Sequence, residues 1–186
     1  DLLGEPLPAG AYLGAVRRGP GRQQRQRPHP AWMPAQERHR DVAAHRRAGR
    51  ERFAEQIVDE QVRPRLIAAT TPLLLGATSR AGQPDLLARV QAMVEAAAPE
   101  SVAWAQRAIA TRPDSLATLR DTDVPAVVIA GKEDELVAEA DTLETATALP
   151  YGRVITIPQA GHLSPLEAPE QVTAALTELV RGIHVG

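Results

Sequence analysis

The chain contains no cysteine, which excludes disulfides and thiolate metal sites. Aromatic residues make up only 3% of it, too few for a platform that stacks nucleic-acid bases. No apolar run approaches the roughly 18 residues that a membrane span needs. The opening segment, DLLGEPLPAG, has neither a basic n-region nor an apolar h-region, so no signal peptide is expected. It also lacks an initiator methionine, and a fragment is the expectation. What is present suits a folded domain: 186 residues with 44% hydrophobic side chains are enough for a core. A cytoplasmic location without membrane contact is the default expectation.

The net charge of -2 hides an asymmetry. Residues 17–52 hold 11 arginines against Glu37, Asp41 and Glu51, while the rest of the chain holds 10 basic and 20 acidic side chains. The stretch RRGPGRQQRQRPHPAWMPAQERHRDVAAHRR, residues 17–47, has no leucine or isoleucine and one valine. It shows neither a strand nor a helix period. One reading is a basic arm for nucleic acid or anionic lipid. Another is disorder, because so little apolar surface cannot offset the entropy of ordering. A third is a reading-frame error. Crowded proline, arginine, glutamine and histidine are what GC-rich DNA yields out of frame, and one base forward the codons of RPHPA permit Val-Leu-Ile-Leu-Leu, a buried strand.

From Glu51 the texture changes. Phe53, Ile57, Val58 and Val62 fall at helical spacing, with Pro64 as a stop or kink. TTPLLLG reads as a short turn or half-helix. A helix starting at Pro84 carries Leu86, Leu87, Val90, Met93, Val94 and Ala97 on one face. A further helix from Pro99 carries Val102, Trp104, Ala105, Ala108 and Ile109, and closes at Pro113. Then the pattern turns α/β. VPAVVIAG, residues 124–131, is a β-branched run ending in glycine, as a strand buried on both faces would be. ELVAEADTLETATALP predicts a helix with Leu136, Ala140, Leu143 and Ala146 or Ala148 inward. Arg153–Ile157 predicts a second strand. PLEAPEQVTAALTELVRGI predicts a closing helix with Val172, Ala175, Leu176, Leu179 and Val180 inward. Strand, helix, strand, helix at this spacing implies a parallel sheet with crossover helices.

In such a sheet functional groups sit beyond the carboxyl ends of the strands. Two loops qualify: Gly131-Lys132-Glu133-Asp134 and Gly161-His162. Adjacent parallel strands would bring Asp134 and His162 together. A carboxylate that accepts a hydrogen bond from one imidazole nitrogen fixes the tautomer and leaves the other nitrogen as a base. Taken singly, the histidine is ordinary loop polarity and Asp134 is one charge of a solvated KEDE run; the pair is the stronger signal. No third residue stands at ligand spacing, so no metal is expected. His29, His39 and His45 lie in the anomalous stretch, and His184 lies near the C-terminus; none receives a role.

VPAVVIAGKEDELV followed by RVITIPQAGHLSPLEAPEQVTAALTELV resembles the C-terminal part of the α/β-hydrolase superfamily, in the esterase and enol-lactonase-like branch with a helical cap. The resemblance spans roughly residues 47–182. It implies an α/β fold whose core is residues 122–186, a helical cap over residues 49–121, and an anomalous segment over residues 1–48, disordered or out of frame. It implies that Asp134 is the triad acid and His162 the triad base, that the substrate is a small-molecule carboxylic ester or lactone, and that no cofactor is needed. Met93 and Trp104 become candidates to line an acyl pocket, with ordinary cap packing as the alternative.

The family's nucleophile belongs in a G-x-S-x-G elbow ahead of the acid and the base. The chain has Ser79, Ser101, Ser115 and Ser164, and none lies in such a motif. Ser164 with Glu167 three residues on reads as a helix capping box. The expectation is therefore a serine hydrolase lineage whose nucleophile is missing from this chain, inactive as written, with an open sheet edge that favours marginal stability or association. The rival readings are a non-catalytic small-molecule-binding remnant and a basic-arm nucleic-acid-binding protein. Oligomeric state is left open.

Overall fold

The structure, a computed structural model, describes residues 35–183. Its elements are α1 (Ala35–Ile57), α2 (Arg63–Thr70), a 3-10 turn (Thr71–Leu74), α3 (Ala77–Gly82), α4 (Pro84–Ala96), α5 (Pro99–Thr111), α6 (Leu116–Arg120), β1 (Ala126–Gly131), α7 (Glu139–Ala148), β2 (Gly152–Ile157), α8 (Ser164–Glu167) and α9 (Pro169–Ile183). The chain divides into two compact units. Among the described residues, one comprises residues 35–66 and 97–112; the other comprises residues 67–96 and 113–183. The helices read from sequence as a single cap are thus shared between the two.

In the first unit α1 packs on α5. Phe53, Ala54 and Ile57 of α1 and Ala103 and Ala110 of α5 are buried. Arg47 Nε donates to the Ala110 carbonyl at 2.9 Å, and an Arg50 nitrogen donates to Gln106 Oε1 at 2.9 Å. α1 begins at Ala35, inside the stretch expected to stay disordered; residues 1–34 of that stretch lie outside the described residues. Alanine, arginine, glutamine and glutamate are strong helix formers, and α5 supplies a surface for the helix to lie on. The inward face of α5 is made by Ala103 and Ala110, and Trp104, expected inward, is 72% exposed. Small side chains let the two helices approach, which rotates the bulky indole outward. Pro64 opens α2 rather than closing its predecessor: Asp59 Oδ1 accepts the amides of Gln61 and Val62 at 2.9 and 3.2 Å, and this turn separates the two helices.

The second unit is built on β1 and β2, which pair in parallel from Ala126 opposite Gly152 to Gly131 opposite Ile157. α7 connects them, and both α7 and α9 pack on the strands. Ile157, Ala160 and Val172 form the buried centre, with Ile129, Ile155 and Ala168 against it. The parallel pair expected from the two β-branched runs is therefore present. The predicted helix phases need correction. α7 starts at Glu139, because Asp134 Oδ1 accepts the amides of Leu136 and Val137 at 2.7 and 3.0 Å and holds them in a turn. Its buried residues are Thr142, Ala146 and Ala148, while Leu136 and Leu143 are exposed. In the last helix Val172 and Ala175 are buried, but Leu176 and Val180 are exposed. In α4 Val90 is buried and Met93 is 55% exposed.

The closing helix is also broken. α8 ends at Glu167 and α9 restarts at Pro169, a first-turn proline with no amide to lose. Ser164 lies inside α8 and makes no side-chain cap, so the capping-box reading fails: the Glu167 carboxylate is engaged elsewhere. On the surface Arg153 reaches Glu178 at 2.6 Å with both side chains largely exposed. We expect Glu178→Ala to lower stability by less than about 1 kcal/mol, and the loss to vanish in high salt; a urea melt at two ionic strengths checks it. Among the described residues no helix is long and apolar enough to cross a membrane.

Candidate active site

Both strands end at the same level, and their loops leave side by side. The ladder outlasts the strands: the Lys132 amide donates to the Ile157 carbonyl at 2.9 Å, and the Glu133 amide to the Ala160 carbonyl at 2.8 Å. Gln159 turns the second loop. Its φ of 59° is the left-handed conformation, which a side chain adopts at a cost of roughly 1 kcal/mol. The turn lays Ala160 and Gly161 directly across Gly131. A Cβ on Gly131 would collide with the carbonyl oxygens of Gly161 and Ala160, so the glycine that ends β1 is there for close approach.

The two residues singled out from sequence, Asp134 and His162, meet. His162 Nδ1 lies 2.9 Å from Asp134 Oδ2. The Asp134 side chain is 10% exposed and the His162 side chain 38% exposed. The carboxylate divides its work: Oδ1 holds the turn into Val137, and Oδ2 faces the imidazole. With Nδ1–H donating to the carboxylate, Nε2 is the nitrogen left to take a proton from a reactant. A carboxylate so placed fixes the ring's tautomer and leaves one nitrogen facing away from it. Ser164 stands two residues after His162 and is buried in α8. Met93 and Trp104 present exposed side chains rather than a buried lining. Among the described residues no group of three or more histidine, aspartate or glutamate side chains could hold a metal ion.

Every charge of the KEDE run has a partner. Lys132 pairs with Glu139 at 3.2 Å, and Glu135 with Arg80 at 2.6 Å. Glu133 accepts the Thr78 amide at 2.7 Å and the Thr78 hydroxyl at 2.6 Å. Those two bonds, hydroxyl first, hold the Glu133 carboxyl below the usual carboxylate range, with Arg80 adding to the effect. A depressed carboxylate stabilises the fold above its unfolded-state pKa, and that contribution is lost as pH falls through the lowered folded value. We therefore expect the Thr78 amide resonance to titrate with Glu133, at a lower pH than an unperturbed glutamate would; NMR of that amide against pH checks it.

Sequence reading also missed Glu167. It is 8% exposed, and its carboxylate accepts two backbone amides: Gly76 at 2.7 Å and Gly161 at 2.9 Å. The Leu163 amide completes the tie by donating to the Leu74 carbonyl at 3.0 Å. The one signal in sequence was a glutamate three residues after Ser164, which reads there as a capping box.

No protein-family model and no curated protein sequence matches the chain. Solved structures do. An esterase from Thermogutta terrifontis, solved with malate bound, is 31% identical, with a TM-score of 0.69 over 75% of this chain and 51% of that one. MenH from S. aureus is 16% identical, with a TM-score of 0.66 over 76% of this chain and 53% of that one. An α/β-hydrolase enzyme from a Medee basin deep-sea metagenome library is 16% identical, with a TM-score of 0.60 over 75% and 50%. The chain has an α/β-hydrolase-like fold, with helical segments beside a small parallel sheet. It spans about half the length of the solved structures that it matches.

Proposed function

We propose that this chain carries the acid-and-base half of a serine hydrolase acting on carboxylic ester or lactone bonds. The observation that carries the reading is the 2.9 Å contact between His162 Nδ1 and Asp134 Oδ2, above two parallel strands. In the complete enzyme His162 Nε2 takes the proton of a serine hydroxyl as the oxygen attacks the carbonyl carbon. It then returns that proton to the leaving alcohol. Asp134 holds the imidazole in the required tautomer and stabilises the imidazolium. Backbone amides hold the developing oxyanion. The esterase from Thermogutta terrifontis, at 31% identity, supports the ester class.

The sequence contains no G-x-S-x-G elbow, so the chain as written is expected to be inactive. Residues 49–121 are proposed as cap-forming and residues 122–186 as the hydrolase core. The anomaly over residues 17–52 is proposed as a frame error that displaced the nucleophile segment; resequencing the locus tests that point, and an intact frame through it would contradict it. The function is tested with a chromogenic short-chain ester, on this chain and on a frame-restored version bearing the elbow. Turnover only in the restored version supports the proposal. Ligand binding without turnover in both, unchanged by His162→Ala, would favour a binding remnant instead.

A further inference from the structure

Both loops of the site are tied to one short segment. Gly76 donates its amide to Glu167, whose other oxygen accepts the amide of Gly161, the residue before His162. Thr78 donates its amide and hydroxyl to Glu133, the residue before Asp134. The ties are close enough that space is exhausted. A Cβ on Gly76 would stand 2.7 Å from Glu133 Oε2 and 2.9 Å from the Gly161 nitrogen. A Cβ on Gly161 would strike the Gly76 nitrogen and stand 2.7 Å from the Leu75 carbonyl carbon.

We propose that Glu167 and Glu133 are positioning residues that index the base loop and the acid loop on the Gly76–Thr78 segment, and so set the Asp134–His162 contact. The proposal rests on the reading of Asp134 and His162 as an acid–base pair. Its physical basis is the carboxylate's capacity. Each of these carboxylates accepts two N–H or O–H donors at once, and charge-assisted bonds of 2.6 to 2.9 Å are the strong kind. Neither residue touches the imidazole by any of these bonds. Each fixes the backbone one residue ahead of a reacting side chain, where a small rotation becomes a large displacement at the ring or the carboxylate. Glu167 is buried, and removing its carboxylate would take the acceptor from two amides at once. The base loop and the acid loop are 28 residues apart at His162 and Asp134, and Gly76 is 91 residues from Glu167. The segment therefore supplies a common reference that neither loop carries locally.

The test uses this chain, labelled with ¹⁵N, and reads the imidazole nitrogens of His162 by long-range proton–nitrogen correlation, above the imidazole titration range. The unaltered protein should show a ring protonated at Nδ1. Glu167→Gln keeps one acceptor but turns an amide N–H toward the second donor. Glu133→Ala removes both bonds to Thr78. Each should replace the Nδ1-protonated signature with mixed tautomers, and Glu167→Gln should speed exchange of the Gly76 and Gly161 amides by about tenfold, while the amides of α9 keep their protection. Faster amide exchange with an unchanged ring would make Glu167 a structural residue only and overturn the proposal; so would no change in either. Should Glu167→Gln fail to fold, Glu133→Ala decides alone, its partner Thr78 being exposed. Asp134→Asn separates the two levels. Its amide donates to Nδ1 and should reverse the tautomer. A ring indifferent to Asp134→Asn refutes the acid–base pair itself, whereas a ring that responds to Asp134→Asn but not to Glu167→Gln or Glu133→Ala refutes only the positioning.

Discussion

In a frame-restored enzyme, His162→Ala is expected to lower turnover of a short-chain ester by on the order of a millionfold. The size follows from the role. Without the imidazole the serine proton has no acceptor, and the leaving alcohol has no donor. Only oxyanion stabilisation and binding remain. Asp134→Asn should lower turnover by about ten-thousandfold. Its mechanism differs: an asparagine NH₂ in place of Oδ2 would donate to Nδ1, so the ring would carry its proton on Nε2, the nitrogen that has to accept one. Binding should survive both changes, so the losses should fall on kcat rather than KM. Steady-state kinetics on the three proteins check this, and a loss of less than about a hundredfold for His162→Ala would leave the histidine only a supporting role.

Gly131→Ala is expected to be the most damaging single methyl in the sheet unit. Its Cβ would meet two backbone carbonyl oxygens and stand 2.7 Å from the Ala160 carbonyl carbon. Backbone of this kind cannot swing away as a long side chain does. The loop has to lift off β1, breaking the Glu133–Ala160 bond and moving His162 from Asp134. Overpacking of this kind destabilises by about 3 kcal/mol or more. At about 2–4 °C per kcal/mol, the melting temperature should fall by roughly 6–12 °C. Gly82→Ala is the matched control: nothing lies within 4 Å of its added Cβ, so it should be neutral or slightly stabilising. Equal effects at the two positions, in parallel thermal melts, would mean that residues 160–161 do not cover Gly131.

How far the sequence alone reaches can be argued from particular residues. The strands were legible because Val127, Val128 and Ile129, and Val154 and Ile155, are β-branched runs with glycine or proline beside them. The meeting of Asp134 with His162 was legible because parallel neighbours carry their loops to the same edge, whatever lies between. Helix faces were less so. In α5 and α7 the buried residues are alanines and a threonine; hydrophobicity found Ala146 and Ala148 but also pointed to Trp104 and Leu143, which are exposed. Close packing selected size over apolarity. The α7 boundary depended on Asp134, whose second oxygen takes two amides that a helix would otherwise have used. Glu167 was beyond reach for a different reason: its partner amide is 91 residues away, and a local capping rule explains the same spacing.

The two roles assigned to Asp134 and His162 make one prediction that neither substitution tests by itself. The carboxylate acts only through the ring, so with the ring removed its identity should not matter. In a frame-restored enzyme, kcat for a chromogenic ester should be the same in His162→Ala and in the double variant Asp134→Asn, His162→Ala. A double variant slower than His162→Ala by the full Asp134→Asn factor would show two independent contributions, and the pair would not be an acid–base unit.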